Sequence, residues 1–118
     1  MSDYVHTKSI IYPITKEMLV KMNLEDVYDL EEKFPKTDFG KFFIEGMVDY
    51  KSNYTYSHCV SLELYSNYED DAADFSRLRF LTKKEQEKYA PLFKQIVLDL
   101  DPSKLELVEF CYRRRRIL

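Results

Sequence analysis

Four consecutive arginines, Arg113, Arg114, Arg115 and Arg116, are the densest chemistry in this chain. A guanidinium presents a planar fork of donors that grips phosphate or carboxylate in pairs, so the run can contact nucleic acid or acidic protein. Each phosphate neutralised would add about one counterion to the salt dependence of binding. In a strand the four alternate between faces, which halves the charge shown to any one ligand. The same charges at a strand end would also discourage edge pairing, keep the protein in solution, or meet the chain's own carboxylates.

Those carboxylates lie in two windows. Glu25, Asp26, Asp29, Glu31 and Glu32 come with no base before Lys33, and Glu63, Glu69, Asp70, Asp71 and Asp74 with no base between them. The formal net charge is −3, and taking away the four arginine charges leaves −7, so the body is acidic and the end basic. An acidic body suits binding to a protein with a basic surface, because complementary charge speeds association. Glu25, Asp26, Asp29, Glu69, Asp70, Asp71 and Asp74 are the expected contact charges, with Tyr65 and Tyr68 as rigid anchors. The pattern fits an inhibitor, an immunity-type antidote or an anti-defence factor of a phage or mobile element. Nucleic-acid binding through Arg113 to Arg116 is the alternative, and a small enzyme the remote one.

Catalytic residues are scarce. His58 and Cys59 are adjacent in an extended stretch, so they face opposite ways and cannot form a local Cys-His pair. His6 and His58 could be neighbours if the first and third strands pair, and an enzyme would need them to converge. There is no Gly-rich phosphate cradle, no His-Glu-x-x-His and no Gly-x-Ser-x-Gly. The stretch Glu69 to Asp74 lacks the Asp-x-Asp-x-Asp-Gly spacing of a calcium loop and reads as a solvated acidic loop. Cys59 and Cys111 lack zinc spacing and read as reduced, partly buried thiols. No catalytic residue, metal or cofactor is expected.

The elements that must hold these residues follow from periodicity. Tyr54 to Tyr65 alternates Tyr54, Tyr56, His58, Val60, Leu62 and Leu64 against Thr55, Ser57, Cys59, Ser61, Glu63 and Tyr65, a long half-buried strand around which the chain is organised. The basic-Gly-aromatic pattern of sheet-based RNA binders is absent from it. Tyr4 to Tyr12 alternates as a first strand ended by Pro13. Thr15 caps a helix carrying Met18, Leu19 and Met22, and Asn23 can cap again, with Val27, Leu30 and Phe34 continuing the stripe to Pro35. Phe39 to Tyr50 fits a helix or a strand. A strand is preferred, because Lys51-Ser52-Asn53 would close a hairpin onto Tyr54.

Ser66 to Ser76 reads as a loop, with a short extended piece at Arg77 to Leu81. Thr82 and Glu85 form a capping box that opens a helix to about Leu98, which Pro91 should kink or divide. After the Asp101-Pro102-Ser103 turn, Leu105 to Tyr112 is a last strand whose apolar face switches, through a bulge near Val108 or cover on both sides. The class is α+β, an antiparallel sheet with helices on one face, and its β-α-β-β-α-β order resembles the ferredoxin-like split βαβ arrangement.

With 118 residues and a hydrophobic fraction of 45%, one domain over 1–118 is expected, with a basic end at 113–118. No apolar run approaches the roughly 20 residues of a membrane helix, and the N-terminus lacks a signal-peptide pattern. A cytoplasmic protein with no membrane contact is expected, monomeric or homodimeric.

Overall fold

β1 (Tyr4–Ile14) is the middle strand because it carries apolar residues on both of its faces: Ile10, Tyr12 and Ile14 on one, Ile11 on the other. The computed structural model describes residues 3–46, 58–70 and 72–113. Around β1 lie β2 (Lys41–Gly46), β3 (His58–Glu69), β4 (Phe75–Phe80) and β5 (Glu106–Arg113), in the order β2-β3-β1-β5-β4. Every neighbouring pair is antiparallel. With α1 (Lys16–Lys21), α2 (Lys83–Lys94) and, among the described residues, the short 3-10 helices Val27–Lys33 and Pro102–Lys104, this is a single compact α+β domain.

The main core sits between the sheet and the helices. Ile10, Val60, Leu62 and Leu105 from the sheet side meet Leu30 of the first 3-10 helix, Phe93 of α2, and Ile96 and Val97 just beyond it. Phe93 edges onto Phe42 of β2 at 5.2 Å between ring centroids. The other sheet face buries a smaller group, Ile11, Cys59 and Val108, with Leu78 and Phe110 against it, and no described helix packs there. Thr7 Oγ1 and Ser61 Oγ are enclosed without a hydrogen-bond partner among the described residues.

The chain departs from its sequence reading at several places. The expected loop over Ser66 to Ser76 is mostly strand: β3 runs on to Glu69 and β4 starts at Phe75. Its polar residues are those of a half-exposed strand, held by pairing with the start of β1, His6 opposite Asn67 and Tyr4 opposite Glu69. β4 is therefore a full edge strand on β5, and the β-α-β-β-α-β reading omits it. The start of the long strand, Tyr54 to Ser57, and the hairpin at Lys51 to Asn53 lie outside the described residues, while the preferred strand in Phe39 to Tyr50 is present as β2.

Pro13 does not end β1. Pairing with β5 stops at Ile11, so Pro13 has no strand opposite it on that side, and β1 continues along β3 to Ile14. Asn23 does not start a second helix. It takes a left-handed φ of 59° and closes α1, its N–H donating to the Val20 carbonyl while Leu24 N–H donates to Leu19. The second cap is Asp26. Pro91 sits within the last turn of α2 and does not divide it, and α2 stops at Lys94 rather than Leu98. The Thr82-Glu85 capping box forms as read. Arg79 adds a two-pronged contact to Glu85 at 2.7 and 3.0 Å, which with the Thr82 backbone bond lowers the Glu85 carboxyl to about 2.

The sheet's one register shift is in β3 rather than near Val108. Lys8 faces Tyr65 and Ser9 faces Glu63, so Leu64 is an extra residue, and Leu64 and Tyr65 both turn toward the helix side. β5 has no shift, and Leu107 and Val108 are buried on its two faces. Gly40 is packed against this bulge. A methyl there would fall onto the Glu63 carbonyl, 2.8 Å from its carbon and 3.2 Å from Leu64 Cα, and backbone cannot rotate away. Gly40→Ala is expected to lower unfolding stability by about 1–3 kcal/mol, read from the urea midpoint, through displacement of the β3 bulge. An unchanged midpoint would show that the bulge yields freely.

Candidate functional site

The structure separates the two acidic windows. The 3-10 helix Val27–Lys33 lies at the start of β3, where Tyr28 edges onto His58 at 5.8 Å. Glu69, Asp70 and Asp74 lie at the far end of β3, which from His58 to Glu69 spans roughly 36 Å. Asp71 and Arg114 to Arg116 lie outside the described residues. Tyr65 and Tyr68 do not form one anchor pair. Tyr65 stands opposite Lys8 on the helix side, and Tyr68 stands opposite Val5 on the other face.

Several of the expected contact charges have internal work. Asp26 accepts from Tyr28 N–H, and Asp29 accepts from the N–H groups of Glu25 and Asp26 at 3.2 and 3.1 Å. These two carboxylates build the start of the 3-10 helix, as capping residues do. Asp74 accepts the Arg113 backbone N–H at 3.1 Å and so fastens β5 to the β3–β4 connection. Glu69 is engaged by His6.

His6 is the centre of a constellation the sequence did not disclose. Its Nδ1 donates to Glu69 at 3.0 Å and its Nε2 donates to Glu109 at 2.8 Å, so one imidazole ties β3, β1 and β5 together. Tyr65 and Phe75 close on the ring edge-to-face at 5.2 and 5.4 Å. Arg77 lies 3.9 Å from Glu109 and over Phe75 at 5.0 Å. A carboxylate at each nitrogen favours the doubly protonated ring: the Glu69 bond, then the Glu109 bond, raises its pKa above 6.5. When protonated at both nitrogens, the ring has no lone pair to offer a substrate or metal.

His58 is far from this cluster. The first and third strands do pair, but the antiparallel register sets His58 opposite Ile14, eight residues along β1 from His6, or roughly 26 Å. The two imidazoles do not converge. Cys59 and Cys111 are both buried and not disulfide-bonded, and burial followed by the charges of Glu69 and Asp74 pushes the Cys111 thiol up. Among the described residues no group of His, Cys, Asp and Glu could hold a metal ion, and no helix is long and apolar enough to cross a membrane.

The feature that faces outward is a cleft of about 650 Å³ between α1 and the first 3-10 helix. Ile14, Leu19, Leu24 and Val27 form its apolar walls, with His58 at one side and Lys16, Glu25 and Asp26 on the rim. Val20 at its mouth is 77% exposed and Tyr28 beside it 54%. The turn at Asn23 makes the cleft, because it stops α1 and redirects the chain before the second helix starts. Glu25, Asp26, Asp29, Glu31 and Glu32 are all exposed and none pairs with a described cation. A larger groove, about 940 Å³, crosses the other sheet face past Val5, Thr7, Ser66 and Phe110, where hydroxyl and apolar side chains alternate.

The His6 clamp has a defined pH dependence. Its folded pKa is raised, so its stabilisation is complete below about pH 6.5 and is lost as pH rises through the folded value. Urea midpoints of the protein and of His6→Gln should therefore differ more at pH 6 than at pH 9; an equal difference at both would mean the clamp does not depend on the imidazolium. Compared with protein-family models, curated proteins and solved structures, the chain matches none. The chemistry of its own residues is what bears on its function.

Proposed function

We propose that this protein works by binding another protein through the acidic face built by α1 and the first 3-10 helix. The observation that carries the reading is the cleft itself: apolar walls and an exposed Val20, with Glu25 and Asp26 on a rim that they share with Lys16 and no described ion pair on either carboxylate. An apolar centre with a charged rim is how protein interfaces divide affinity from steering. The complement is a basic protein segment, which fits an inhibitor, immunity or anti-defence factor that covers a partner's basic surface, acting in the cytoplasm. Of the two acidic windows, the first is the stronger contact surface. In the second, Glu69 is already engaged by the His6 imidazole. His6, held at both nitrogens, supports a binding role over a catalytic one.

Glu31 and Glu32 are exposed and cap nothing, so reversing them leaves the fold intact. Glu31→Lys with Glu32→Lys should weaken recovery of a protein partner from native cells at low salt, on the order of tenfold, while nuclease treatment has no effect. Undiminished recovery by the double variant would refute the assignment. Recovery abolished by nuclease would move the function to Arg113 to Arg116.

A further inference from the structure

We propose that the α1 cleft takes the segment Arg114–Leu118 of a second copy of this chain. Ile117 and Leu118 fill the cleft, and the arginines lie on the carboxylates at its rim. The inference rests on the protein-binding reading above and names a partner for that same site.

Three observations lead to it. The first is chemical fit. The segment reads Arg-Arg-Arg-Ile-Leu, a basic run next to two branched apolar residues, and the cleft offers Leu19, Val20 and Leu24 beside Glu25 and Asp26. Val20 at the mouth is a large apolar surface left to water in the single chain, and an aliphatic partner would cover it. Arginine pairs with carboxylate bidentately, which gives the rim geometric specificity as well as charge.

The second observation is reach, and it decides between the chain's own segment and a neighbour's. β5 ends at Arg113, opposite Tyr4 at the start of β1, whereas the cleft is lined by Ile14 at the end of β1. Ten residues of strand separate them, roughly 33 Å. Five residues beyond Arg113 span at most about 18 Å even when fully extended. The segment therefore cannot enter the cleft of its own molecule, and the contact must be made between copies.

The third observation is closure. Because the basic segment and the cleft lie at opposite ends of β1, two copies side by side and antiparallel bring each segment to the other's cleft. This gives two equivalent contacts about one two-fold axis, a closed pair rather than an open chain. In its own molecule Arg113 meets Asp74, which accepts its backbone N–H and does not line the cleft.

The test uses two variants of the full chain. Val20→Asp with Glu25→Lys alters the cleft at exposed positions, and Arg115→Glu with Ile117→Asp alters the segment. Sedimentation equilibrium from micromolar to millimolar protein should show a monomer–dimer equilibrium for the unaltered chain, weakened at least about tenfold in either variant. An equimolar mixture of the two variants should regain association, because one contributes an intact segment and the other an intact cleft. A labelled hexapeptide Arg-Arg-Arg-Arg-Ile-Leu should bind the segment variant and dissociate with salt, and its Ala-Ala counterpart should bind at least several-fold more weakly.

A monomer at every concentration, or association that neither variant weakens, overturns the proposal. Equal binding of the two peptides overturns the cleft insertion. If the peptide fails to bind while charge reversal at Glu31 and Glu32 still abolishes recovery of a foreign partner, self-docking is wrong and the binding function stands. If neither responds, both fall.

Discussion

The extra residue in β3, Leu64, decides which side chains meet in this molecule. Strand side chains alternate, so a single inserted residue sends everything after it to the other face. Before the bulge, Val60 and Leu62 enter the core under the helices; after it, Tyr65, Asn67 and Glu69 share that face of β1 with His6. Without the insertion Glu69 would lie across the sheet from the imidazole, and the clamp joining β3, β1 and β5 could not form. Gly40 belongs to the same device, because only a residue without a side chain can lie beside the displaced Glu63 carbonyl. The bulge is a packed feature of the fold, matched by the residue opposite it.

With the register fixed, charge is sorted by place. At one end of β1, Glu69 and Glu109 close on the His6 imidazole, and the exposed Asp74 accepts the Arg113 N–H. At the other end, Asp26 and Asp29 cap a 3-10 helix with their oxygens yet remain exposed, and Glu25, Glu31 and Glu32 have no described cation. A capping carboxylate keeps its negative charge, so it can start a helix and still contribute to an outward field. The same residues can thus be structural in hydrogen bonding and functional in electrostatics. What separates the two acidic windows is the imidazole on Glu69, which has no described counterpart in the first.

Local chemistry was legible in the sequence. The Thr15 and Thr82 caps, the apolar faces of β1 and β3 and the strand at β2 follow from short-range patterns that the fold keeps. Residues 66–69 were not legible as strand, because Ser66, Asn67 and Glu69 are polar and only pairing with His6 and Tyr4 holds them extended. β4 was half seen, since an edge strand exposed along much of its length lacks a strong alternation. The His6 clamp needed Glu69 and Glu109, 63 and 103 residues away, to be brought to one imidazole, which depends on two registers and one bulge. The cleft had a local trace: Val20 is the apolar residue of α1 left on its polar side, and Asn23 follows as a helix stop.

Methyl-resolved NMR of the isotopically labelled chain, titrated with the hexapeptide Arg-Arg-Arg-Arg-Ile-Leu, would locate the binding surface directly. Binding through the acidic cleft requires the largest shifts at the methyls of Leu19, Val20 and Leu24, with the Tyr28 ring following and all of them fading as salt is raised. Shifts concentrated instead near Glu69 and Asp74, or across the sheet face at Val5 and Val108 with the α1 methyls unmoved, would contradict it.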